Sequence, residues 1–308
     1  LLDGGIGKQT LTMLTHSASL YLASVLIWGS TWYAIKFQLG VVAAEVSLVY
    51  RFGLAALILL LYCLLTRRRL KYSAREHGFI ALQGLFLFSS NYLIFYWATE
   101  LLTSGIVALM FSTVILMNIA NGAIFMRLRV SRRVVIGAVF GIFGIAAIFW
   151  SEVSGVENNA ATWRGLWMCL IATYFASIGN IISARNQKNA IPVVQTNAFG
   201  MAYGALIMAV FALLGQVPFN YDSAIAYSLS LIYLAVFGSI LAFGCYLTLI
   251  GRIGADKAAY AAVLFPVIAL GISTLFEDYQ WTLRAICGFA LVLLGNYIVL
   301  TKNNPGSE

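Results

Sequence analysis

Residues 104–150, SGIVALMFSTVILMNIANGAIFMRLRVSRRVVIGAVFGIFGIAAIFW, align without a gap with residues 255–301, ADKAAYAAVLFPVIALGISTLFEDYQWTLRAICGFALVLLGNYIVLT. Gly137 falls on Gly288, Gly144 on Gly295, Phe125 on Phe276 and Arg133 on Arg284. Ser131 falls on Thr282, so a hydroxyl residue opens the second apolar stretch in both copies. The hinge inside the first copy reads Met-Arg-Leu-Arg-Val-Ser-Arg-Arg; its counterpart reads Glu-Asp-Tyr-Gln-Trp-Thr-Leu-Arg. Basic hinges mark the cytoplasmic face of a membrane protein. Matching hinges of opposite charge therefore point to two copies inserted in opposite directions.

The rest of the chain fits that duplication. Apolar stretches lie at 18–38, 43–65, 77–99, 103–126, 132–151, 163–184, 192–214, 226–250, 255–276 and 282–301. Each is close to the roughly 20 residues a helix needs to cross a bilayer. With 61% hydrophobic and 10% charged residues, the chain departs far from soluble composition. The reading is an all-α integral membrane protein of ten transmembrane helices in two five-helix halves, 18–151 and 163–301, joined by an outer linker at 152–162. Five is odd, so the second half enters inverted.

Charge sets the orientation. Most of the 19 basic residues gather on one side: Arg67, Arg68, Arg69, Lys71 and Arg75, then Arg127, Arg129, Arg132 and Arg133, then Arg185, Lys188, Arg252 and Lys257, with Lys8 and Lys302 on the tails. The opposite hinges collect Glu45, Glu100, Glu152, Glu157, Asp222, Glu277 and Asp278. Both termini are therefore expected in the cytoplasm, and the net charge of +8 reads as a topology signal, with no nucleic acid as partner. Residues 1–17 are expected to be a disordered leader and 302–308 a cytoplasmic tail. Cys63, Cys169, Cys245 and Cys287 lie within apolar spans without metal-ligand spacing, so no metal and no cofactor are expected.

Inverted repeats are the architecture of secondary transporters, with the solute site near the midplane where the halves meet. At this level the chain resembles the EamA-type drug/metabolite transporter (DMT) superfamily. The resemblance lies in LIWGSTWYAIK at 26–36, in Arg51-Phe52, and in the repeat units above, with Pro266 in mid-helix and Glu277 at the helix end. It implies a cavity lined by spans one, three, four, six, eight and nine, with spans five and ten peripheral. Met126-Arg127 stands where the family often has Gly-Glu, and Ile115 where it often has Pro. Those departures, with the Trp- and Tyr-rich spans, are similar to the YddG-type aromatic amino-acid exporters.

Polar side chains deep in a span usually face a cavity or the bundle interior. Asn91, Asn118 and Asn180 are such residues, and an amide offers both donors and acceptors to a zwitterion. The deep aromatics Trp28, Trp32, Tyr92, Tyr96, Tyr174, Tyr203, Phe243, Tyr246 and Tyr260 suit a ring-bearing solute. Interhelical bonding and lipid-facing packing remain open for each. Arg51 lies within a span; a substrate carboxylate, a pair with Glu45 or Glu100, or snorkelling to the interface all suit it. The resemblance favours a structural or gating ion pair. Pro266 removes a backbone hydrogen bond and is expected to kink span nine as a hinge. Gly200-x3-Gly204 and the Gly137–Gly144 cluster read as close-packing motifs.

The expected function is a secondary transporter of the cell inner membrane that exports aromatic or hydrophobic amino acids and related small metabolites by alternating access. Its partners would be that small-molecule substrate and the lipid bilayer. Since no Asp or Glu falls in mid-span, it reads as an uncoupled facilitator or exchanger. Nucleobases, sugars or lipophilic drugs are alternative cargoes. A channel remains open, whereas an enzyme is disfavoured because His16 and His77 are the only histidines and form no cluster.

Overall fold

The computed structural model describes residues 3–127, 132–155, 160–258 and 261–300. Tyr260, Arg129, Ser131, Glu157 and the 302–308 tail therefore lie outside the described residues. Every element found among them is helical. We number the ten crossing units in chain order: α1 Asp3–Lys36; α2 Ala44–Leu65; α3 in two segments, Ala74–Leu87 and Ser90–Thr99; α4 in two, Ser104–Phe111 and Val114–Met126; and α5 Arg132–Gly155. The second half repeats the scheme as α6 Ala160–Lys188; α7 Val193–Leu214; α8 in three consecutive segments, Ile225–Tyr233, Leu234–Leu241 and Ala242–Ile253; α9 in two, Ala255–Ala258 and Ala261–Phe276; and α10 Leu283–Leu300.

The helix ends follow local chemistry. At the start of α3, Ser73 and Glu76 form a capping box: the Ser73 hydroxyl accepts from the Glu76 amide, and the Glu76 carboxylate accepts from the Ser73 amide at 2.6 Å. Pro192 precedes α7, where its missing amide hydrogen costs nothing. Gly254 ends α8 at φ 91°, a conformation that a side chain would strain. One expectation is corrected here. The backbone is helical from Asp3, so residues 3–16, read as a disordered leader, continue α1 toward the N-terminus. The stretch holds no proline, and helix can propagate outward from an apolar span that is already formed.

Packing reproduces the duplication. α1 packs on α8 and α9, and α6, its counterpart, packs on α3 and α4. α2 lies against α7, α4 against α9, and α5 against α10. α3 touches α7 as α8 touches α2. Exchanging each helix with the one five places along leaves this list unchanged, which is the signature of a two-fold pseudo-symmetric molecule. Apart from arginines at the helix ends, α2, α5, α7 and α10 turn mainly apolar side chains outward, among them Leu61, Leu65, Phe143, Leu206, Leu214 and Tyr297. That is the surface a hydrocarbon solvent requires.

Among the described residues, three of the units that meet at the centre, α3, α4 and α8, depart from regular helix. α3 breaks at Phe88–Ser89, where the Ser89 hydroxyl donates to the carbonyls of Gly84 (3.1 Å) and Leu85 (2.7 Å). α4 breaks at Ser112–Thr113, whose hydroxyls donate to the Leu109 and Met110 carbonyls at 2.6 and 2.7 Å. α8 carries a π-helical stretch over Leu234–Leu241, a geometry that often marks functional sites. Irregular backbone at this depth is tolerated where it is buried in protein or lines a cavity.

Candidate functional site

α1 supplies the first wall of a central cavity. Trp28 and Trp32 are four residues apart and so lie on one helix face, with Thr31 and Ile35 beside them. The Trp28 indole donates to the Gly238 carbonyl at 3.0 Å, which ties α1 to the π-helical stretch of α8. Its ring meets Phe243 edge-on at 4.8 Å, Tyr246 at 4.9 Å and Phe265 at 5.3 Å. Trp32 meets Phe95 and Phe111 at 5.2 and 5.5 Å. Across the cavity, the break in α3 presents Leu87, Asn91 and Tyr92, while α6 adds Ala176 and Asn180. Every lining residue thus comes from α1, α3, α4, α6, α8 or α9. α5 and α10 pair with each other away from it.

The space among these side chains is about 490 Å³, yet only about 30 Å³ of it admits the centre of a water molecule. The rings crowd the site, and a solute the size of an amino acid requires them to part. At the basic end of the bundle, by contrast, a groove of about 470 Å³ by the same measure opens between α3, α4 and α6, beside Phe79, Met126, Arg185 and Lys188.

Polar groups mark the cavity more sharply than its rings do. The Trp32 indole nitrogen, the Asn91 side-chain oxygen and the Asn180 side-chain oxygen are buried and have no hydrogen-bond partner among the described residues. Asn118 fixes the orientation of Asn180: its nitrogen donates to the Ala255 carbonyl at 3.4 Å, and its oxygen accepts from the Asn180 nitrogen at 3.5 Å. Both contacts are longer than an ordinary N–H···O bond and so are weak, and they leave the Asn180 oxygen without a partner among the described residues. Asn121 is satisfied elsewhere, donating to Ser177 at 2.9 Å.

The sequence-selected residues divide accordingly. Trp28, Trp32, Asn91, Tyr92, Asn180, Phe243 and Tyr246 line the cavity, and Asn118 stands directly behind Asn180. Tyr96 is fully buried against Arg51. Tyr174 is 43% exposed on the outer surface, because its position on α6 turns away from the bundle. Tyr203 lies on α7 and pairs with His77 at 2.9 Å. Pro266 is buried within α9, next to the cavity residue Phe265. Phe95, Phe111 and Phe265 were not selected from sequence, since a phenyl ring carries no polar atom to distinguish a cavity wall from packing.

Arg51 also departs from expectation. It is 1% exposed, and among the described residues no carboxylate, Glu45 and Glu100 included, lies within ion-pair distance. Its Nε donates to Ser239 at 3.0 Å and its Nη1 to the Tyr96 hydroxyl at 3.4 Å. The guanidinium lies 4.6 Å from the Tyr92 ring centroid.

Among the described residues an ion pair forms that the sequence reading does not single out. Lys36, at the end of α1, pairs with Glu277 at the end of α9, and Ser104 and Ser273 donate to the same carboxylate. The Ser104 amide adds a bond at 3.4 Å. Burial pushes the Glu277 carboxyl upward, but Lys36 and the two hydroxyls outweigh it and hold it below the usual carboxylate range. Under the repeat alignment Glu277 falls on Met126 and Ser104 on Ala255, so the opposite end has no equivalent clasp.

Known proteins resemble this chain in sequence and fold. The profile of the EamA-like transporter family matches residues 16–150 and 163–301. The uncharacterized inner membrane transporter YedA of Escherichia coli strain K12 is 27% identical over 304 residues, covering 96% of this chain and 95% of its own. Protein PagO of Salmonella typhimurium is 19% identical over 92% of this chain and 93% of its own. A solved structure titled only "Crystal structure of protein" superposes with a TM-score of 0.73 at 14% identity, over 93% of this chain and 96% of that one, and so shares the fold. With both halves matched, the chain belongs to the EamA-like transporter family of the drug/metabolite transporter superfamily.

Proposed function

We propose that this transporter exports aromatic or other hydrophobic amino acids and related zwitterionic metabolites, in the manner of YddG-type exporters, from the cytoplasm across the cell inner membrane. One observation carries the reading: an aromatic-walled cavity holds one donor, on Trp32, and two acceptors, on Asn91 and Asn180, that have no partner among the described residues. Buried polar atoms without partners are costly, and a solute that satisfies them recovers that cost on binding. The rings accommodate an apolar side chain, and the free atoms suit a solute carrying both donors and acceptors. An inorganic ion uses none of the aromatic surface.

The basic hinges support cytoplasmic termini, and the similarity to the inner membrane transporter YedA supports the inner membrane as the compartment. Alternating access follows from two similar halves of opposite orientation. The solute moves down its own gradient or in exchange for another. Uptake of labelled phenylalanine, tryptophan, adenine, glucose and a lipophilic cation into proteoliposomes tests the proposal. Saturable uptake of the aromatic amino acids, blocked by each other, supports it. Saturable uptake confined to adenine, glucose or the cation overturns it, and a non-saturating flux indicates a channel.

A further inference from the structure

We infer that Arg51 binds the carboxylate of the transported solute, so that the anionic end of the molecule, rather than its ammonium, determines recognition. The inference rests on the proposed function above and assigns its substrates' common group. A guanidinium stays charged in any protein environment. Burying one without a counter-charge is costly, and neutral partners offset that cost only in part. Arg51 has neutral partners alone among the described residues: Ser239, Tyr96 and the Tyr92 and Phe52 rings.

The geometry joins this cation to the cavity. Tyr92 serves both, with its ring forming cavity wall while lying beside the guanidinium. Thr31 lines the cavity as well, and Gly238 stands between it and Arg51. A Cβ on Gly238 would fall 2.9 Å from Thr31 Cγ2 and 3.4 Å from Arg51 Nη2, so the bare backbone here packs tightly between the cavity residue Thr31 and the guanidinium. The π-helical stretch of α8 places Gly238 here together with Ser239, which holds the guanidinium. Arg51 lies behind the wall that Tyr92 and Thr31 form, so a solute carboxylate reaches it when these side chains part; the apolar part then lies among Trp28, Phe243 and Phe265, and the ammonium faces the Asn91 and Asn180 oxygens.

Binding to the purified protein, read by tryptophan fluorescence, tests this on the natural chain with three probes: 3-phenylpropanoate, which lacks the ammonium, phenylalaninamide, which lacks the carboxylate, and phenylalanine. The two carboxylates are expected to bind about tenfold to a hundredfold more tightly than the amide, the range for a charge-assisted bond. Arg51→Gln should remove that preference by weakening the carboxylates and leaving the amide unchanged, and Arg51→Lys should restore part of it. An amide that binds as well as the propanoate, or an Arg51→Gln variant that folds and keeps the preference, overturns the inference. Tight propanoate binding with no saturable amino-acid transport would instead refute the amino-acid reading and leave the carboxylate site standing.

Discussion

Gly144 of α5 meets the backbone of Gly288 in α10 so closely that a Cβ on Gly144 would fall 2.5 Å from the Gly288 carbonyl oxygen. The reciprocal contact exists: a Cβ on Gly295 would fall 2.5 Å from the Gly137 carbonyl oxygen. Under the repeat alignment Gly144 corresponds to Gly295 and Gly288 to Gly137. The two contacts are therefore one contact, repeated by the pseudo-two-fold axis. Because 137 pairs with 295 and 144 with 288, α5 and α10 run antiparallel, as inversion requires.

These glycines should tolerate no side chain. Gly144→Ala and Gly295→Ala each force backbone apart, and overpacking of this kind costs about 1–3 kcal/mol. Thermal unfolding in detergent should show similar losses for the two variants, while Gly141→Ala, which would meet nothing within 4 Å, should be neutral. Unequal losses for Gly144 and Gly295 would remove the symmetry argument.

Asn118 should matter to transport more than to folding. Asn118→Ala leaves the Asn180 nitrogen without its partner and frees the amide to rotate, so the acceptor offered to the solute is lost. Transport is expected to fall about tenfold, the size of one hydrogen bond to a charged group, with folded yield largely kept. Parallel losses of yield and transport would assign Asn118 to packing. Tyr174→Ala, on the outer surface, should leave transport near the natural level.

The Lys36–Glu277 clasp supplies a pH-dependent stability difference. Glu277 has its carboxyl lowered in the folded chain, so its contribution is complete above the ordinary value of 4.5 and disappears as pH falls through the lowered one. Glu277→Gln should cost about 1–3 kcal/mol near pH 7. The gap in melting temperature between the natural chain and this variant should stay constant from about pH 6 to 8 and close in acid below the usual carboxylate range. A gap that persists through strong acid would contradict the network.

Topology gives an independent check on the inverted halves. Single cysteines in a background lacking the native four should label from the cytoplasmic side at Arg68 and from the opposite side at Asp222 and Asp278. Labelling of Arg68 and Asp278 from the same side would be incompatible with the arrangement.

Much of the fold was legible because bilayer thickness fixes span length and the repeat reveals itself in aligned glycines. The breaks were less visible. Ser89 interrupts α3 by bonding its hydroxyl to the preceding turn, but a serine in an apolar span carries no mark that separates this from ordinary helix. LAVFGSIL, 234–241, reads as helix by composition, and its π geometry depends on what Gly238 and Ser239 touch. Of the site, the polar residues were legible because depth alone makes Asn91 and Asn180 costly. Tyr174 and Tyr203 were misread for the opposite reason: a tyrosine is at ease at a lipid face, a helix contact or a cavity, and spacing does not choose among them. The clasp escaped notice because Lys36 and Glu277 each sit at a span end, where charges are common, and only tertiary structure joins them.

The most direct test of the transport mechanism is counterflow in proteoliposomes loaded with unlabelled phenylalanine and given labelled phenylalanine outside, with no pH gradient. A tenfold gradient of the solute supplies about 1.4 kcal/mol, which is sufficient drive for exchange. Transient accumulation of label is expected, with an initial rate that changes little when a pH gradient is imposed between about pH 6 and 8, because the described side chains that line the cavity include no Asp, Glu or His. Sustained accumulation of phenylalanine against its gradient, driven by a pH difference and abolished by a protonophore, would contradict an uncoupled carrier.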